Sequence, residues 1–131
     1  MTAIDGLPFA EHDKKCWLLF LPQGEDHDIG LLFSNYLIRL SGQKTIYLGS
    51  EVPMESLKQV SEKINFTDVL FFMVKNRPVN DAQNYIKELN KIHKNSKVHL
   101  TGNGKLIGEL SLPNNMDWIQ SVDQLEKTYL L

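Results

Sequence analysis

Short apolar segments alternate along this chain with amphipathic segments of helical periodicity, and this alternation is what most constrains its fold. Five segments are strand-like: residues 16–21, 44–48, 68–74, 97–100 and 116–119. Helical segments lie between them, and the strand–helix pair recurs about every 25 residues. Such alternation requires a parallel sheet with helices on both faces, because parallel strands need long crossover connections. We therefore predict an α/β fold, a five-stranded, doubly wound, flavodoxin-like or Rossmann-like three-layer sandwich.

The helical segments also carry signals for their ends. In residues 29–40 the apolar side chains recur at spacings of three and four, which places them on one face. Gly42 follows as a C-terminal cap, since glycine adopts the left-handed conformation without strain. Further helices are predicted over residues 53–64, 81–93 and 122–129, with Asn80 and Ser121 as N-caps of the last two.

Composition narrows the possible classes of function. The chain has 131 residues, which predicts one domain over residues 15–131 after a flexible lead-in or linker at residues 1–14. The net charge of −2 lacks the basic excess of a free-standing nucleic-acid binder. A single cysteine, Cys16, excludes an intramolecular disulfide and paired-cysteine zinc sites. The apolar runs are too short to span a bilayer and residues 1–15 do not resemble a secretory signal, so we expect a cytoplasmic location without membrane contact.

The loop after the first strand, residues 22–28, holds the densest group of chemically capable side chains. Glu25, Asp26 and Asp28 surround His27, and an imidazole beside carboxylates is a good metal ligand. Glu25 could accept the second ring N–H and orient the imidazole. The alternative is a solvated acidic loop with an incidental histidine, which the spacing alone favours. In parallel sheets, ligands bind at the carboxyl ends of the strands, where this loop is predicted to lie.

Several chemistries are excluded at this edge of the predicted sheet. Strand three ends without the aspartate of a phosphoacceptor domain, and the acidic loop would repel a phosphate. Residues 102–104 are Gly-Asn-Gly, which is not a dinucleotide-binding fingerprint. No Ser–His–Asp or Cys–His arrangement can be argued from the sequence.

Residues 25–30, Glu-Asp-His-Asp-Ile-Gly, resemble the D-x-H-x-x-G motif of cobalamin-binding domains, with glutamate in place of the first aspartate. Residues 41–44 and 49–53 resemble the second βα unit of the same family. Asp68 before strand three and Pro78 after it also fall at matching positions. The resemblance implies the cobalamin-binding type of three-layer sandwich and, as cofactor, cobalamin.

The resemblance extends over residues 16–129. It is greatest, over residues 27–39 and 46–49, to the C-terminal effector domains of MerR-type transcriptional regulators. It implies a non-enzymatic, ligand-sensing domain whose ligand or partner would bias dimerisation of the parent protein, with a homodimer as an expected partner state. DNA binding would then belong to an upstream helix-turn-helix domain. A corrinoid carrier domain of a methyltransferase or mutase is the second hypothesis, and a ligand-free dimerisation module is the third.

The resemblance further implies a set of site residues. His27 would be the cobalt ligand and the metal-binding residue, and Glu25 would orient it. Glycines after strand four would admit the nucleotide tail of the cofactor. A hydroxyl on strand three would support the carboxylate that orients the histidine, which is Glu25 in this sequence. The implied cofactor-binding positions are Glu25, His27, Gly30, Gly49, Met73, Gly102 and Asn103.

Two of these positions depart from the family pattern. Met73 stands where the family has a serine, and Phe72 beside it adds bulk near the slot for the tail. Asn103 replaces the second glycine of a Gly-Gly pair, and its side chain would obstruct close approach. The sequence thus leaves three outcomes open: weak cobalamin binding, binding of another small molecule, or no ligand.

Overall fold

The computed structural model of the chain describes residues 15–130, so the predicted lead-in at residues 1–14 lies outside it. The strands are β1 (Cys16–Pro22), β2 (Lys44–Val52), β3 (Asp68–Met73), β4 (Lys97–Gly102) and β5 (Met116–Trp118). The helices are α1 (Ile29–Leu40), α2 (Met54–Lys63), α3 (Val79–Ile92), α4 (Gly104–Ile107) and α5 (Val122–Leu125), which continues into a π-helical turn, Glu126–Leu130. Over this range no helix has both the length and the apolar character needed to cross a bilayer.

All five strands pair in parallel, in the order β2-β1-β3-β4-β5. This order reverses direction between β1 and β3, as in flavodoxin-like folds. Both faces of the sheet are covered. Leu18, Phe20 and Phe71 pack on the side of α2 and α3, whereas Trp17 and Leu19 pack on the side of α1 and α5. The predicted doubly wound, three-layer α/β fold is therefore confirmed.

The C-terminal end of α1 confirms the predicted glycine cap. Gly42 has a φ of 95°, in the left-handed region. Its N–H donates to the carbonyl of Arg39 at 3.0 Å, and the N–H of Gln43 donates to the carbonyl of Ile38 at 3.2 Å. This pair of bonds is the Schellman arrangement, and it satisfies carbonyls that the end of the helix leaves without a partner.

The two predicted N-caps have different outcomes. Ser121 does cap α5, because its hydroxyl accepts the N–H of Gln124 at 3.0 Å. Asn80 is not a cap: α3 already begins at Val79, directly after Pro78. Pro78 has extended backbone, so α3 does not include it and begins at the next residue. No side chain makes a capping hydrogen bond at this end of the helix.

Strand β2 is longer than predicted and irregular at its end. Its register against β1 shifts twice, between Leu19 and Phe20 and between Phe20 and Pro22. Gly49 and Glu51 both have positive φ values, 87° and 58°, which is typical of bulges. The bulged end supports the loop after β1, because the Glu51 carboxylate accepts the N–H of Gly24 at 2.8 Å.

A buried polar network joins β3, β4 and β5 in a part of the sheet away from the loop after β1. His99 in β4 is fully buried, with Nδ1 2.8 Å from an Asp117 carboxylate oxygen and Nε2 2.9 Å from Asp68. Tyr129 donates its hydroxyl to the other Asp117 oxygen, and the Trp17 ring stacks on His99 at 5.0 Å. Burial alone would lower the pKa of His99, but the hydrogen bonds and charges of the two carboxylates outweigh it and raise the pKa. The network ties β3, β4, β5 and the C-terminal turn together.

Candidate ligand-binding cleft

A cleft of about 600 Å³ opens at the carboxyl edge of the sheet, between the start of α1 and the ends of β3 and β4. It lies beside the β1–β3 switch point, where open α/β sheets bind their ligands. The lining residues are Asp26, His27, Asp28, Ile29, Gly30, Phe72, Val74, Gly102 and Asn103.

His27 stands at the mouth of the cleft, with 64% of its side chain exposed. Its Nδ1 lies 3.4 Å from a carboxylate oxygen of Asp26, and the Lys75 ammonium lies 3.4 Å from the same oxygen. Among the described residues, Nε2 of His27 has no hydrogen-bond partner. The imidazole is therefore open to a ligand through Nε2, and its neighbouring carboxylate is Asp26 rather than Glu25.

Glu25 is fully buried, and its carboxylate bonds to the loop between β3 and α3. Its carboxylate accepts the N–H of Val74 at 3.0 Å and that of Lys75 at 3.2 Å. The guanidinium of Arg77 donates to its second oxygen. These bonds compensate a buried charge and join the two loops that border the cleft. In this geometry Glu25 holds the loops together and does not touch the imidazole.

Gly30 in the first turn of α1 is in contact with Phe72. A β-carbon at Gly30 would lie 2.7 Å from Cε2 of the Phe72 ring, closer than real side chains approach. Phe72 is half-buried against the core on the α1 side of the sheet. Its ring therefore fills the space that the glycine leaves open.

Gly102 at the end of β4 is in similar contact with the chain's own backbone. Its φ is +131°, and a β-carbon there would lie 2.3 Å from the carbonyl oxygen of Met73. The next residue, Asn103, donates its N–H to the same carbonyl at 2.7 Å. Gly102 thus permits the close approach of β3 and β4.

The Asn103 side chain is fixed by the helix that it precedes. Its oxygen accepts the N–H groups of Lys105 and Leu106, at 3.1 and 3.2 Å, and so caps α4. Its amide nitrogen donates to Asn76 at 2.8 Å. Asn103 lines the cleft as a structural cap, and a glycine there could not make these bonds.

Four of the seven residues that the resemblance implied line the cleft: His27, Gly30, Gly102 and Asn103. Met73 does not, because its side chain is fully buried in the core on the α2–α3 side. Adjacent strand residues point to opposite faces, so Phe72 faces the cleft and Met73 cannot. Gly49 lies in the bulge of β2, paired with Phe20, and is outside the lining. Val74, which the sequence did not single out, lines the cleft beside Phe72.

The donor set fits one kind of metal centre. Within residues 15–130, no group of three or more His, Cys, Asp or Glu side chains could hold a bare ion. A metal already held by a macrocycle needs only one axial ligand from the protein, and an accessible imidazole supplies it. His27 at the mouth therefore fits the metal-centred ring of a corrinoid. The floor, where Phe72 packs on Gly30, does not fit an inserted nucleotide tail.

Comparisons with known proteins identify the fold. No protein-family model and no curated protein matches the chain. A cobalamin-binding protein from Desulfitobacterium hafniense matches 87% of the chain with a TM-score of 0.70 at 18% identity. A monomethylamine corrinoid protein from Methanosarcina barkeri matches 97% of it with a TM-score of 0.70 at 16% identity. The methanol:cobalamin methyltransferase complex of Methanosarcina barkeri matches 86% with a TM-score of 0.66 at 18% identity.

The chain therefore has the Rossmann-like α/β fold of cobalamin-binding domains. At 16–18% identity this likeness concerns the fold alone. The matched regions make up 56%, 62% and 43% of those three solved chains, so the chain spans about half of their length.

Proposed function

We propose that this chain is the ligand-sensing effector domain of a MerR-type regulator and that His27 binds the metal of a corrinoid at the mouth of the cleft. The observation that carries the proposal is an imidazole with an open Nε2 at the switch point of a cobalamin-binding fold. The MerR assignment rests on the sequence resemblance over residues 27–39 and 46–49. A bound corrinoid would supply a cobalt centre, and the His27 imidazole would hold it.

The neighbouring side chains would prepare His27 for this role. Asp26, 3.4 Å from Nδ1, favours the tautomer that carries its proton on Nδ1 and leaves the lone pair on Nε2. The bonds from Glu25 to Val74, Lys75 and Arg77 hold the loop in place before a ligand arrives, which lowers the cost of ordering it on binding. The role is binding rather than catalysis, in a cytoplasmic protein whose DNA contacts belong to another domain.

Replacement of His27 by alanine is expected to abolish the spectral change on corrinoid binding. The probe is aquacobinamide, a corrinoid whose cobalt carries no attached base, titrated into the protein and followed by its visible absorption. Coordination by the wild-type imidazole should shift the bands, and H27A should leave them as in buffer. Glu62→Gln, which alters an exposed carboxylate on α2 outside the cleft, is the control and should keep the shift. An equal shift in wild type and H27A would overturn the proposal.

A corrinoid carrier is the second candidate, because two of the similar structures are a corrinoid protein and a methyltransferase complex. The two functions differ in what the bound ligand does. A sensor domain would change its association when it holds a corrinoid, whereas a carrier domain would hold the corrinoid for methyl transfer by a partner enzyme and keep its association unchanged. Measuring mass with and without aquacobinamide therefore separates them.

The outward face of α1 supports association of two copies of the chain. Five large apolar side chains on this helix are about half exposed or more: Ile29, Leu32, Phe33, Tyr36 and Leu40. Together they present on the order of 500 Å² of apolar surface, so two copies would bury on the order of 1,000 Å², the lower range of specific interfaces. Ile29 also lines the cleft, so the ligand site and this face are continuous.

Charge at the two ends of α1 favours an antiparallel pairing of the copies. Asp26 and Asp28 precede the helix, and Arg39 and Lys44 lie at its other end. A two-fold axis across the helix brings the acidic end of each copy to the basic end of the other. We therefore propose a homodimer through α1 as the state that the ligand modulates.

Phe33→Asp is expected to weaken this dimer by at least tenfold in dissociation constant, because it places a carboxylate in the middle of the apolar face. Light scattering over a range of protein concentrations measures the effect. Val79→Asp, a similar change at a partly exposed apolar residue on α3, is the matched control and should leave the dimer intact. A protein that is monomeric at every concentration, or a dimer that F33D does not weaken, would contradict the interface.

A further inference from the structure

We infer that Phe72 excludes a nucleotide tail and that the cleft therefore selects a metal macrocycle without one. The inference rests on the proposed function, because it concerns the ligand of the same site. It names Phe72 as the residue that determines specificity, and tail-less corrinoids as the ligand class.

Gly30 lies in the first turn of α1, against the ring of Phe72. A glycine at the start of α1 leaves open space that a ligand could use. Here the Phe72 ring already uses it, with Cε2 2.7 Å from the position of a β-carbon. The contact between the helix and β3 is thus made by a protein side chain, and a group inserted between them would have to displace the ring.

Gly102 lies at the end of β4 and also lines the cleft. Its missing β-carbon serves the crossing of β3 and β4, since the Met73 carbonyl oxygen lies 2.3 Å from where that carbon would be. Asn103 next to it is held by three hydrogen bonds of its side chain, to Lys105, Leu106 and Asn76. Gly30 and Gly102 are therefore both in contact with the chain itself.

The rest of the cleft stays open to a ligand. Above Phe72 the cleft keeps about 600 Å³, open to solvent, with Ile29 and Val74 as apolar walls and His27 at the rim. A flat ring with a metal at its centre can reach Nε2 of His27 from outside. Such a ring needs no insertion between α1 and the sheet, whereas a long nucleotide tail does.

The test compares two corrinoids on two proteins. Aquacobinamide and hydroxocobalamin share the ring, and only the second carries the nucleotide tail. Wild-type protein should bind aquacobinamide at least tenfold more tightly, by titration of the visible spectrum. F72A should reduce that ratio at least tenfold, by tightening hydroxocobalamin and leaving aquacobinamide within about threefold, where tenfold corresponds to about 1.4 kcal/mol. Hydroxocobalamin must release its own base from cobalt before His27 can bind, and this cost is the same in wild type and F72A. The change in the affinity ratio of the two corrinoids therefore reports the effect of Phe72 alone.

Further variants keep the result interpretable. Phe72→Leu, a milder change, should move the ratio in the same direction if F72A folds poorly by circular dichroism. Met73→Leu, on the opposite face of the same strand, should leave the ratio unchanged. Histidine-dependent binding of both corrinoids with a ratio that F72A and F72L do not change would overturn this inference and leave the proposed function standing. A lack of any His27-dependent shift with either corrinoid, in wild type and F72A alike, would overturn the proposed function and this inference together.

Discussion

Replacing His99 by leucine is expected to lower the free energy of unfolding by about 3–5 kcal/mol, because it leaves a buried carboxylate without its partner. Asp68 is only 2% exposed and lies 2.9 Å from the His99 ring, and Asp117 is held from the other side at 2.8 Å. Both carboxylates accept from the ring only when both of its nitrogens carry protons, so the native network contains a buried imidazolium. Urea unfolding of wild type and H99L measures the loss.

A second histidine provides the matched control. His27→Leu makes the same chemical change at an exposed ring and should alter the free energy of unfolding by less than about 0.5 kcal/mol. The double variant Asp68→Asn, His99→Leu should recover part of the loss, since it removes the charge that H99L strands. A loss below about 1 kcal/mol in H99L would show that the network does not stabilise the fold.

The same network gives stability a defined dependence on pH. The pKa of His99 is raised in the folded protein above its usual 6.5 by Asp117 and Asp68, despite burial. Its stabilising contribution is therefore fully present below about pH 6.5 and is lost as the pH rises through the raised pKa. The difference in unfolding free energy between wild type and H99L should be largest below pH 6.5 and shrink above it. A difference that grows with pH would contradict this protonation state.

Gly102→Ala is the second change with a large expected effect, a loss of about 3–5 kcal/mol in unfolding free energy. The new β-carbon would lie 2.3 Å from the Met73 carbonyl oxygen. Because that oxygen belongs to the backbone, the steric clash can be relieved only by separating β3 from β4. The φ of +131° adds strain, because residues with side chains rarely adopt it. Thermal unfolding followed by circular dichroism measures the loss.

Gly49→Ala separates the two causes in Gly102→Ala. Gly49 also has a positive φ, +87°, but the nearest atom to an added β-carbon is 3.9 Å away, on the Tyr47 ring. Only backbone strain acts there, so G49A should cost about 1–2 kcal/mol. Equal losses for G49A and G102A would mean that strain, rather than the close approach of the two strands, explains both.

The sequence predicted the fold because its evidence was local and repeated. Continuously apolar strands report their own burial, and their alternation with helices allows few topologies. The apolar spacing of α1 did not report burial: its apolar face is the exposed one, and Leu31, Ser34 and Ile38 are the buried residues of that helix. Where the prediction failed, a neighbour decided the outcome. Pro78 sets the start of α3 and removes any need for Asn80 as a cap, and the bulges that extend β2 beyond residue 48 depend on pairing with β1.

The candidate site was predictable in its place but only partly in its chemistry. The loop that carries His27 lies at the carboxyl edge of the sheet, as the order of elements requires. The partner of Glu25 is Arg77, 52 positions away, and no local spacing could indicate that contact. The choice between Phe72 and Met73 was available from strand alternation, since two adjacent residues cannot both face the cleft. The close approach behind Gly102 depends on the path of two backbones, which residue types do not encode.

The outer strands of the sheet have a consequence for handling the protein in concentrated solution. On one side β2 is twice out of register with β1, and on the other β5 has only three residues. Within residues 15–130, neither outer strand offers a long, regular row of unpaired amides for another chain to extend, which is the usual route to edge-to-edge polymerisation and fibrils. Self-association of this domain should therefore stop at small, closed, helix-mediated assemblies. Concentrated solutions of the protein should remain free of cross-β aggregates.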